Sequence, residues 1–542
     1  MATPAYGLYT HIRANRWRSV ILLGGLFFLV YVLVYAGALA GATTLPEAIP
    51  PAAAQGRRHI TIAMPVGPRV LEPVREVSNV IFRTAYNVFD TLIAVDFRDN
   101  ARLKPGLATA WRRSEPRVLE LDLRPGVRFH NGDLLSAEDV AFSFGAERVA
   151  DPKAPGHALS RPFLGTIERV EAIGPLQVRV VTTAPDPLIE QRLAGWAGQI
   201  VSKRAFLAAP SFEAWEKAPV GTGPFAVQDF RLDDRLVLKA HDAYFGGAPL
   251  VQELVFRVVP ELASRLNALA TGEADIITEV SPDQFATIEA MAGREIVGGP
   301  IQNIRVLAFD KTHPVLADLR IRQALALAID RKAIVEALYG GRTTIPPGHQ
   351  NPAYGPLFMP DYPAPGFDPE RARALVRAAG YKGEPIPYRI LPNYYTLQLQ
   401  TAQLLVEMWR QVGLNVEMIV RENPAAITVP AEGRGIRDWS NTIFWNDPAG
   451  VLSRLFGPNG PVQRVTKEWS NEEFNRHAGV LATSLDPAER RAAFRRMLEI
   501  WDHEDPAGTV LHDLTMFYGK RKDIAWQPYP IEYMDFRAAN MG

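Results

Sequence analysis

The side chains that could perform chemistry in this sequence are not spaced for breaking bonds. There is no cysteine, which removes thiol nucleophiles, disulfides and cysteine-ligated metal sites. The 10 histidines are scattered, without the H-x-x-x-H or H-E-x-x-H spacing of a zinc hydrolase. The G-x-S-x-G elbow of serine hydrolases and the strand-linked G-x-G-x-x-G turn of dinucleotide enzymes are also missing. We therefore predict no catalytic residue, no metal site and no cofactor.

The absence of these motifs leaves two classes of function, a glycosidase and a protein that binds a ligand without reaction. Isolated carboxylates cannot be paired from sequence alone, so a glycosidase stays open. The glycine-containing motifs at 130–133 (HNGD) and 221–224 (GTGP) predict chain reversals. The GTGP motif has neither the lysine nor the length of a phosphate-binding loop. What remains is capture without reaction, which needs aromatic walls for contact area and a few polar groups for orientation.

Length and composition predict a folded protein of two or three domains. The 542 residues exceed what one hydrophobic core usually serves. With 47% apolar and 22% charged residues, the chain does not resemble a disordered protein. Basic and acidic residues number 59 each, so there is no basic excess to favour a nucleic-acid partner.

The N-terminus predicts export. Arg13, Arg16 and Arg18 precede an uncharged apolar run at 20–42, and this polarity places the body of the protein outside the cytoplasm. The run is about 23 residues long, enough to span a bilayer as an uncleaved anchor. Small-x-small motifs at 40–42 and 52–54 equally suit a cleaved signal peptide, so both interpretations of 1–42 stay open. The Pro- and Ala-rich residues 43–56 are a predicted linker.

Periodicity predicts an α/β body. Alternation predicts strands at 59–64 and 235–241, and a hairpin at 118–129 around a Pro-Gly turn. Ser136, followed by acidic residues, predicts a helix N-cap. The second half is more helical. Its predicted helices are one continuous segment at 319–341, one that Asp368 opens and Gly380 ends, and one that ends at Gly413 before a strand.

Several segments resemble the peptide/nickel/opine-binding proteins of ABC importers, the dipeptide- and oligopeptide-binding type. These segments are VFDTLIAVDFRDNARLKPGLATAWRRS, LDLRPGVRFHNGDLLSAEDVAFSF, VGTGPFAVQDF continuing through AYFGGAPLVQELVFRVVP to GEADI, and DLRIRQALALAIDRKAIVEALYGG. They follow the order of that family and extend over about 60–515. The order makes the resemblance specific although each segment alone is weak.

The resemblance implies a type II periplasmic-binding-protein-like α/β fold with two lobes, a hinge and a ligand cleft between the lobes. Lobe 1 would combine domain I with an inserted domain II, and lobe 2 would be domain III. The implied bounds are 57–89, 219–303 and 505–542 for domain I, 90–218 for domain II, and 304–504 for domain III. An N-terminal hydrophobic helix would precede them.

The resemblance also implies where ligand contacts fall. The candidate ligand-binding residues form three groups and one single residue. The first group follows a Leu-x-Pro turn, the second lies between a strand and a helix of lobe 2, and the third is a Trp-Asn-Asp motif. The single residue is an asparagine. The candidates are Arg75, Glu76, Asn79, Asn303, Tyr394, Tyr395, Trp445, Asn446 and Asp447. Each group also has a purely structural interpretation. Arg75, Glu76 and Asn79 suit the solvated face of a helix, and Tyr394 and Tyr395 suit packing against the protein interior.

The Trp-Asn-Asp motif departs from the family pattern. Peptide binders commonly follow the pattern W-x-x-D-x-x-D-P, whose first aspartate binds the ligand ammonium. Here Trp445 lies only two residues before Asp447-Pro448. When the two patterns are aligned on Asp-Pro, the position of that aspartate falls on Phe444. Either Asp447 has taken over the ammonium contact or no such contact exists. Asp447 equally suits the N-cap of a helix that Pro448 would begin.

The resemblance implies an extracytoplasmic binding component that captures a small molecule or peptide by lobe closure and delivers it to ABC permease subunits. It would be periplasmic or extracytoplasmic, and tied to the inner membrane if 20–42 is retained. A membrane-anchored solute sensor with the same fold is the first alternative, and a hydrolase is the second.

Overall fold

The computed structural model describes most of the chain beyond the linker. The described residues are 57–99, 101–363, 365–392, 394–421, 427 and 433–541. The predicted signal peptide or anchor (1–42) and the predicted linker (43–56) lie outside them. Within the described residues, no helix combines the length and the apolar composition needed to cross a bilayer.

The strands form three sheets. Their bounds are β1 Arg58–Met64, β2 Ile93–Asp96, β3 Arg102–Pro105, β4 Ala108–Glu115, β5 Val118–Leu123, β6 Ile167–Gly174, β7 Gln177–Thr182, β8 Phe225–Arg231, β9 Arg235–Ala240, β10 Val251–Val258, β11 Ile276–Ile277, β12 Arg294–Phe309, β13 Ile386–Ile390, β14 Val416–Val420, β15 Ile436–Thr442 and β16 Gly508–Arg521. The largest sheet has ten strands in the order β14-β13-β15-β12-β16-β11-β1-β10-β9-β8. The others are β4-β5-β7-β6 and the pair β2-β3.

Two long antiparallel strands occupy the middle of the ten-stranded sheet. β12 has 16 residues and β16 has 14, about three times the usual strand length. β15 borders β12 from Asn303 onward, whereas β11 borders β16 at Gly519 and Lys520, at the opposite end of the pair. The two strands therefore join the two halves of the sheet. Their pairing register shifts between Pro300 and Ile304, midway along the pair.

Close backbone approach requires glycine at two positions of this framework. Gly298 has a φ of +106°, and a Cβ there would lie 2.1 Å from the Met516 carbonyl oxygen of the paired strand. A Cβ on Gly221 would lie 2.2 Å from the Val88 carbonyl oxygen, so the predicted chain reversal at 221–224 is a site of close packing.

The predicted hairpin at 118–129 is wrong. Gly126 makes the expected turn, with a φ of +76°, but both edges of β5 are already occupied by β4 and β7. The segment beyond the turn therefore leaves the sheet, and Arg128 pairs with Leu134 in an isolated bridge.

The helices lie mostly around these sheets. They are α1 Asn79–Ala85, α2 Ala137–Ser143, α3 His157–Leu164, α4 Ile189–Ala194, α5 Lys203–Ala208, α6 Phe212–Lys217, α7 Leu262–Thr271, α8 Phe285–Glu289, α9 Leu319–Leu327, α10 Arg331–Tyr339, α11 Pro369–Ala378, α12 Gln398–Gln411, α13 Leu452–Phe456, α14 Pro461–Arg464, α15 Glu472–Thr483 and α16 Pro487–Glu499. The Ser136 cap is confirmed as a capping box with Asp139, and Asp368 caps α11 as predicted.

The single helix predicted over 319–341 is two helices. The Asp330 side chain accepts a hydrogen bond from the Ala333 backbone N–H, so it caps α10 and ends the continuity with α9. The predicted C-terminal end is confirmed, because Gly340 takes the left-handed conformation with a φ of 55°.

Buried apolar side chains divide into distinct clusters. One packs β13–β15 against α9–α12 around Tyr388 and Trp409. A smaller cluster lies under α7 and α8. The largest joins the β1 half of the sheet to the four-stranded sheet and reaches Trp445 and Trp501. The segment after β15 is thus packed in the core that also holds the four-stranded sheet.

Candidate functional site

The segment that follows β15 brings aromatic rings against distant parts of the chain. Trp445 is 3% exposed, and the Arg192 guanidinium of α4 lies 4.7 Å from its ring centroid. Phe444 packs edge-on against Phe82 at 5.3 Å and against Phe163 at 5.0 Å. Residues more than 200 positions apart therefore meet at this segment, which is what a site between separate parts of a fold requires.

A cavity of about 260 Å³ opens at this meeting point. It lies between β2 and β3 on one side and the segments at 353–356 and 443–446 on the other. Its lining residues are Val95, Phe97, Ala101, Arg102, Leu103, Gln191, Gln302, Ala353, Tyr354, Gly355, Pro356, Ile443, Phe444, Trp445 and Asn446. The Asn446 side chain donates to the Ala101 carbonyl at 3.0 Å, and both residues line the cavity.

A buried polar cluster lies where α1 faces the central strands. Arg83 is 1% exposed and pairs with Glu279. The Asn303 amide of β12 donates to Thr442 Oγ1 and to Glu532 Oε1, each at 2.9 Å. Burial raises the pKa of the Glu532 carboxyl, and the hydrogen bond from Asn303 opposes this rise. We call Arg83, Glu279, Asn303 and Glu532 the Arg83 cluster.

Several polar atoms of the Arg83 cluster have no hydrogen-bond partner among the described residues. They are Arg83 Nε and Nη1, Asn303 Oδ1 and Glu532 Oε2. Buried polar atoms are nearly always satisfied in folded proteins, because leaving one unpaired costs about 1–3 kcal/mol. The cluster therefore offers both donors and acceptors to a molecule that could reach it.

The adjacent tyrosines after β13 have different roles. Tyr394 is 40% exposed. Partial desolvation raises the pKa of its hydroxyl to about 12, and the charges of Glu532 and Glu279 add to this rise. The Tyr394 ring packs edge-on against Tyr395 at 4.8 Å, and its backbone N–H donates to Gln398 Oε1 at 3.0 Å. Tyr395 is 8% exposed and donates to Ser440 Oγ at 3.0 Å, so it packs within its own half.

The candidates near the Leu-x-Pro turn are held by local contacts. Arg75 donates to Glu216 at 3.0 Å and to the Pro155 carbonyl at 3.1 Å. Glu76 accepts from the Arg69 backbone N–H at 2.9 Å and from Ser78 Oγ at 2.5 Å. Asn79 is the first residue of α1 and is partly buried. Of the nine predicted ligand-binding residues, Trp445 and Asn446 line the 260 Å³ cavity. The lining does not include Arg75, Glu76, Asn79, Asn303, Tyr394, Tyr395 or Asp447.

Asp447 is a helix cap. Its Oδ1 accepts from the Ala449 backbone N–H at 2.9 Å and pairs with Arg490 Nη2 at 2.7 Å. Burial raises the pKa of its carboxyl, and the Arg490 cation opposes this rise. The capping interpretation is confirmed, and Asp447 stabilises the turn that directly follows the 443–446 segment.

Comparison with known proteins decides the family. The profile described as "Bacterial extracellular solute-binding proteins, family 5 Middle" matches residues 102–463. The chain belongs to this family. Among relatives of this family 5 protein, the dipeptide-binding protein of Escherichia coli is 26% identical over 455 residues, 78% of this chain and 82% of the relative. Heme-binding protein A of Haemophilus influenzae is 26% identical over 474 residues, 80% and 84% of the two chains.

Solved structures agree on the fold. The dipeptide-binding protein of Pseudoalteromonas sp. SM9913 in complex with Met-Leu superposes with a TM-score of 0.80, at 22% identity, over 89% of this chain and 99% of that chain. The mixed α/β fold of periplasmic binding proteins is therefore confirmed. Membership makes this family 5 protein an extracytoplasmic solute-binding component of an ABC importer, in a family of binding proteins rather than enzymes.

Sequence inspection missed Arg83, Glu279 and Glu532. Arg83 lies inside the apolar stretch VIFRTA, and a charge within such a stretch is the one available signal. Glu279 and Glu532 carried no signal, because turns far along the chain bring them to α1.

Proposed function

We propose that this family 5 protein captures a small ligand of peptide-like or opine-type chemistry between two lobes and delivers it to ABC permease subunits. The observation that carries this proposal is the 260 Å³ cavity, whose walls come from β2 and β3 on one side and from 353–356 and 443–446 on the other. Lobe 1 would comprise 57–89, 219–303 and 505–542 with the insert 90–218, and lobe 2 would be 304–504.

The long strand pair supports closure of these lobes. β12 and β16 join the two halves of the sheet, and their register shift between Pro300 and Ile304 removes regular pairing at the midpoint. A break in a ladder of backbone hydrogen bonds is where two strands can bend with the least loss of pairing. We propose 300–304 as the hinge.

The chemistry of the Arg83 cluster supports a peptide-like ligand. Glu532 Oε2 and Asn303 Oδ1 offer acceptors, while Arg83 Nε and Nη1 offer donors. A peptide ammonium next to its first carbonyl presents the complementary set of groups. We propose that the Arg83 cluster and Tyr394 take the place of the family's displaced aspartate.

Trp445→Ala tests the location of the site. The change should weaken ligand binding about 100-fold, because a buried tryptophan wall is typically worth more than 2 kcal/mol of binding energy. Calorimetric titration of a panel of dipeptides and opines measures the effect. Trp111→Ala is the matched control, since Trp111 lies on β4 and does not line the cavity.

Two outcomes would contradict the proposal. Unchanged affinity in the Trp445→Ala variant would place the site elsewhere. Conversion of a bound compound to a product would replace capture by catalysis. Neither outcome requires knowledge of the natural ligand.

We further propose that residues 20–42 either anchor the protein in the inner membrane or are removed on export. The mass of the protein recovered from cells distinguishes the two. Retention of the run predicts recovery in the membrane fraction, and cleavage after 42 or 54 predicts recovery in the periplasmic fraction.

A further inference from the structure

A second cavity, with a volume of about 180 Å³, lies beside the 260 Å³ cavity. All of its lining residues except Phe444 belong to the proposed lobe 1, and they come from 86–97, 104–106, 194–199, 244–245 and 529–539. Among the described residues, the two cavities share Val95, Phe97 and Phe444, so these side chains form the wall between them. We call the second cavity the aromatic chamber.

Eight aromatic side chains line the aromatic chamber. Tyr86 and Tyr533 stack with their ring centroids 4.6 Å apart and their planes within 6° of parallel. Phe97 packs edge-on against Tyr533 at 5.5 Å and meets Tyr529 at 5.3 Å. Aromatic rings prefer these stacked and edge-on arrangements, and an apolar cavity of about 150 Å³ is large enough for benzene. The shape and the lining of the chamber therefore suit a planar aromatic occupant.

The charged groups that line the aromatic chamber already have partners. Arg537 pairs with Asp90 at 2.8 Å and with Asp535 at 3.0 Å. Lys104 pairs with Asp96 at 3.1 Å, and its side chain is 45% exposed, so the chamber reaches the solvent there. A charge on the occupant would be buried without a partner of its own, which is costly. The chamber therefore suits an uncharged occupant.

One buried acceptor on the lining of the aromatic chamber has no partner. Gln199 lines the chamber and is 9% exposed. Its backbone is held in place, because its carbonyl accepts from Arg148 at 3.3 Å and the residue forms a β-bridge with Thr91. Gln199 Oε1, however, has no hydrogen-bond partner among the described residues. Buried polar atoms are nearly always paired, so the Gln199 amide is available to a donor on the occupant.

We propose that the aromatic chamber is a second binding site, which takes an uncharged planar aromatic compound with one hydrogen-bond donor, such as a phenol or an indole. The rings supply the contact area, and the Gln199 amide accepts from the donor and fixes the orientation of the compound. Because the chamber lies within the proposed lobe 1, its occupation does not require closure of the two lobes. This second site goes beyond the proposed capture of a solute and does not depend on it.

The test compares p-cresol with toluene, which has the same ring and methyl group but no donor. Calorimetry and thermal melting of the full-length chain should show that the wild type binds p-cresol about 10-fold more tightly, because a hydrogen bond to an unpaired buried acceptor contributes about that factor. Gln199→Leu should bind the two compounds equally. Ala94→Phe should bind neither, because Ala94 lines the chamber and a larger side chain fills it. Gln400→Leu is the matched control, because Gln400 is an exposed glutamine of α12.

The outcomes separate the second site from the proposed function. Failure of the wild type to bind either compound would overturn the site. Binding that is the same in Ala94→Phe would also overturn it, because the compounds would then lie outside the chamber. Equal affinities of the wild type for p-cresol and toluene, or a preference that survives in Gln199→Leu, would overturn the assigned ligand class. Each of these results leaves the proposed solute capture standing, because the lining of the 260 Å³ cavity includes neither Ala94 nor Gln199.

Discussion

Asp447→Ala is expected to lower the free energy of unfolding by about 3–5 kcal/mol, because it leaves the buried Arg490 cation without its partner. Asp447 is 3% exposed and Arg490 is 8% exposed, so solvent cannot replace the lost carboxylate. The same change removes the cap of the turn at Pro448–Gly450. Urea denaturation measures the difference in unfolding free energy.

Two further variants separate these contributions. Asp486→Ala removes an exposed helix cap without a buried ion pair and should cost only about 1 kcal/mol. The double variant Asp447→Ala/Arg490→Met removes both charges and should be less destabilised than Asp447→Ala alone. A loss for Asp447→Ala no larger than that for Asp486→Ala would show that the ion pair contributes little. A large loss of ligand affinity with unchanged stability would return Asp447 to the ligand site.

Asp513→Asn is expected to stabilise the protein at pH 8 by up to about 4 kcal/mol, and to leave it unchanged below pH 4. Burial raises the pKa of the Asp513 carboxyl to about 7, although the Thr344 hydroxyl donates to it. Because the folded-state pKa is the higher one, the folded protein retains a proton that the unfolded chain releases between about pH 4 and 7. The contribution of Asp513 to stability is therefore complete below pH 4 and is lost as the pH rises to about 7.

Thermal or urea unfolding of the wild type and the variant between pH 4 and pH 8 checks this expectation. The wild type will keep some pH dependence of its own, since burial also raises the pKa of Asp502 to about 7. The difference between the two proteins isolates Asp513, and Asp361→Asn, at an exposed carboxyl, is the control. A difference that stays constant over this pH range would show that Asp513 titrates normally.

Much of the framework follows from local sequence. Ser136 and Asp368 were predicted as caps because a short polar side chain before an acidic first turn satisfies free backbone N–H groups. The errors arose where a second interaction competed. The 118–129 hairpin failed because β5 already had two neighbours, and the 319–341 helix was divided because Asp330 caps from within it.

The site was harder to predict than the fold. Trp445 and Tyr394 were named through the resemblance to the family, and Trp445 lies where segments from different parts of the chain meet. Arg83 and Glu532 were missed because each gains meaning only from residues far away along the chain. Local sequence shows neither long-range neighbours nor missing partners.

The position of β16 has a consequence for folding during export. This strand comes from residues 508–521, near the C-terminal end of the sequence, yet it lies in the middle of the ten-stranded sheet between β12 and β11. The β1 half and the β15 half therefore cannot be joined until residues 508–521 have been synthesised. Because pairings between distant segments form slowly, we expect the ten-stranded sheet to close late. A polypeptide crosses a secretion channel as an unfolded chain. Late closure of the sheet therefore favours export, because the two halves are joined only after the chain has crossed.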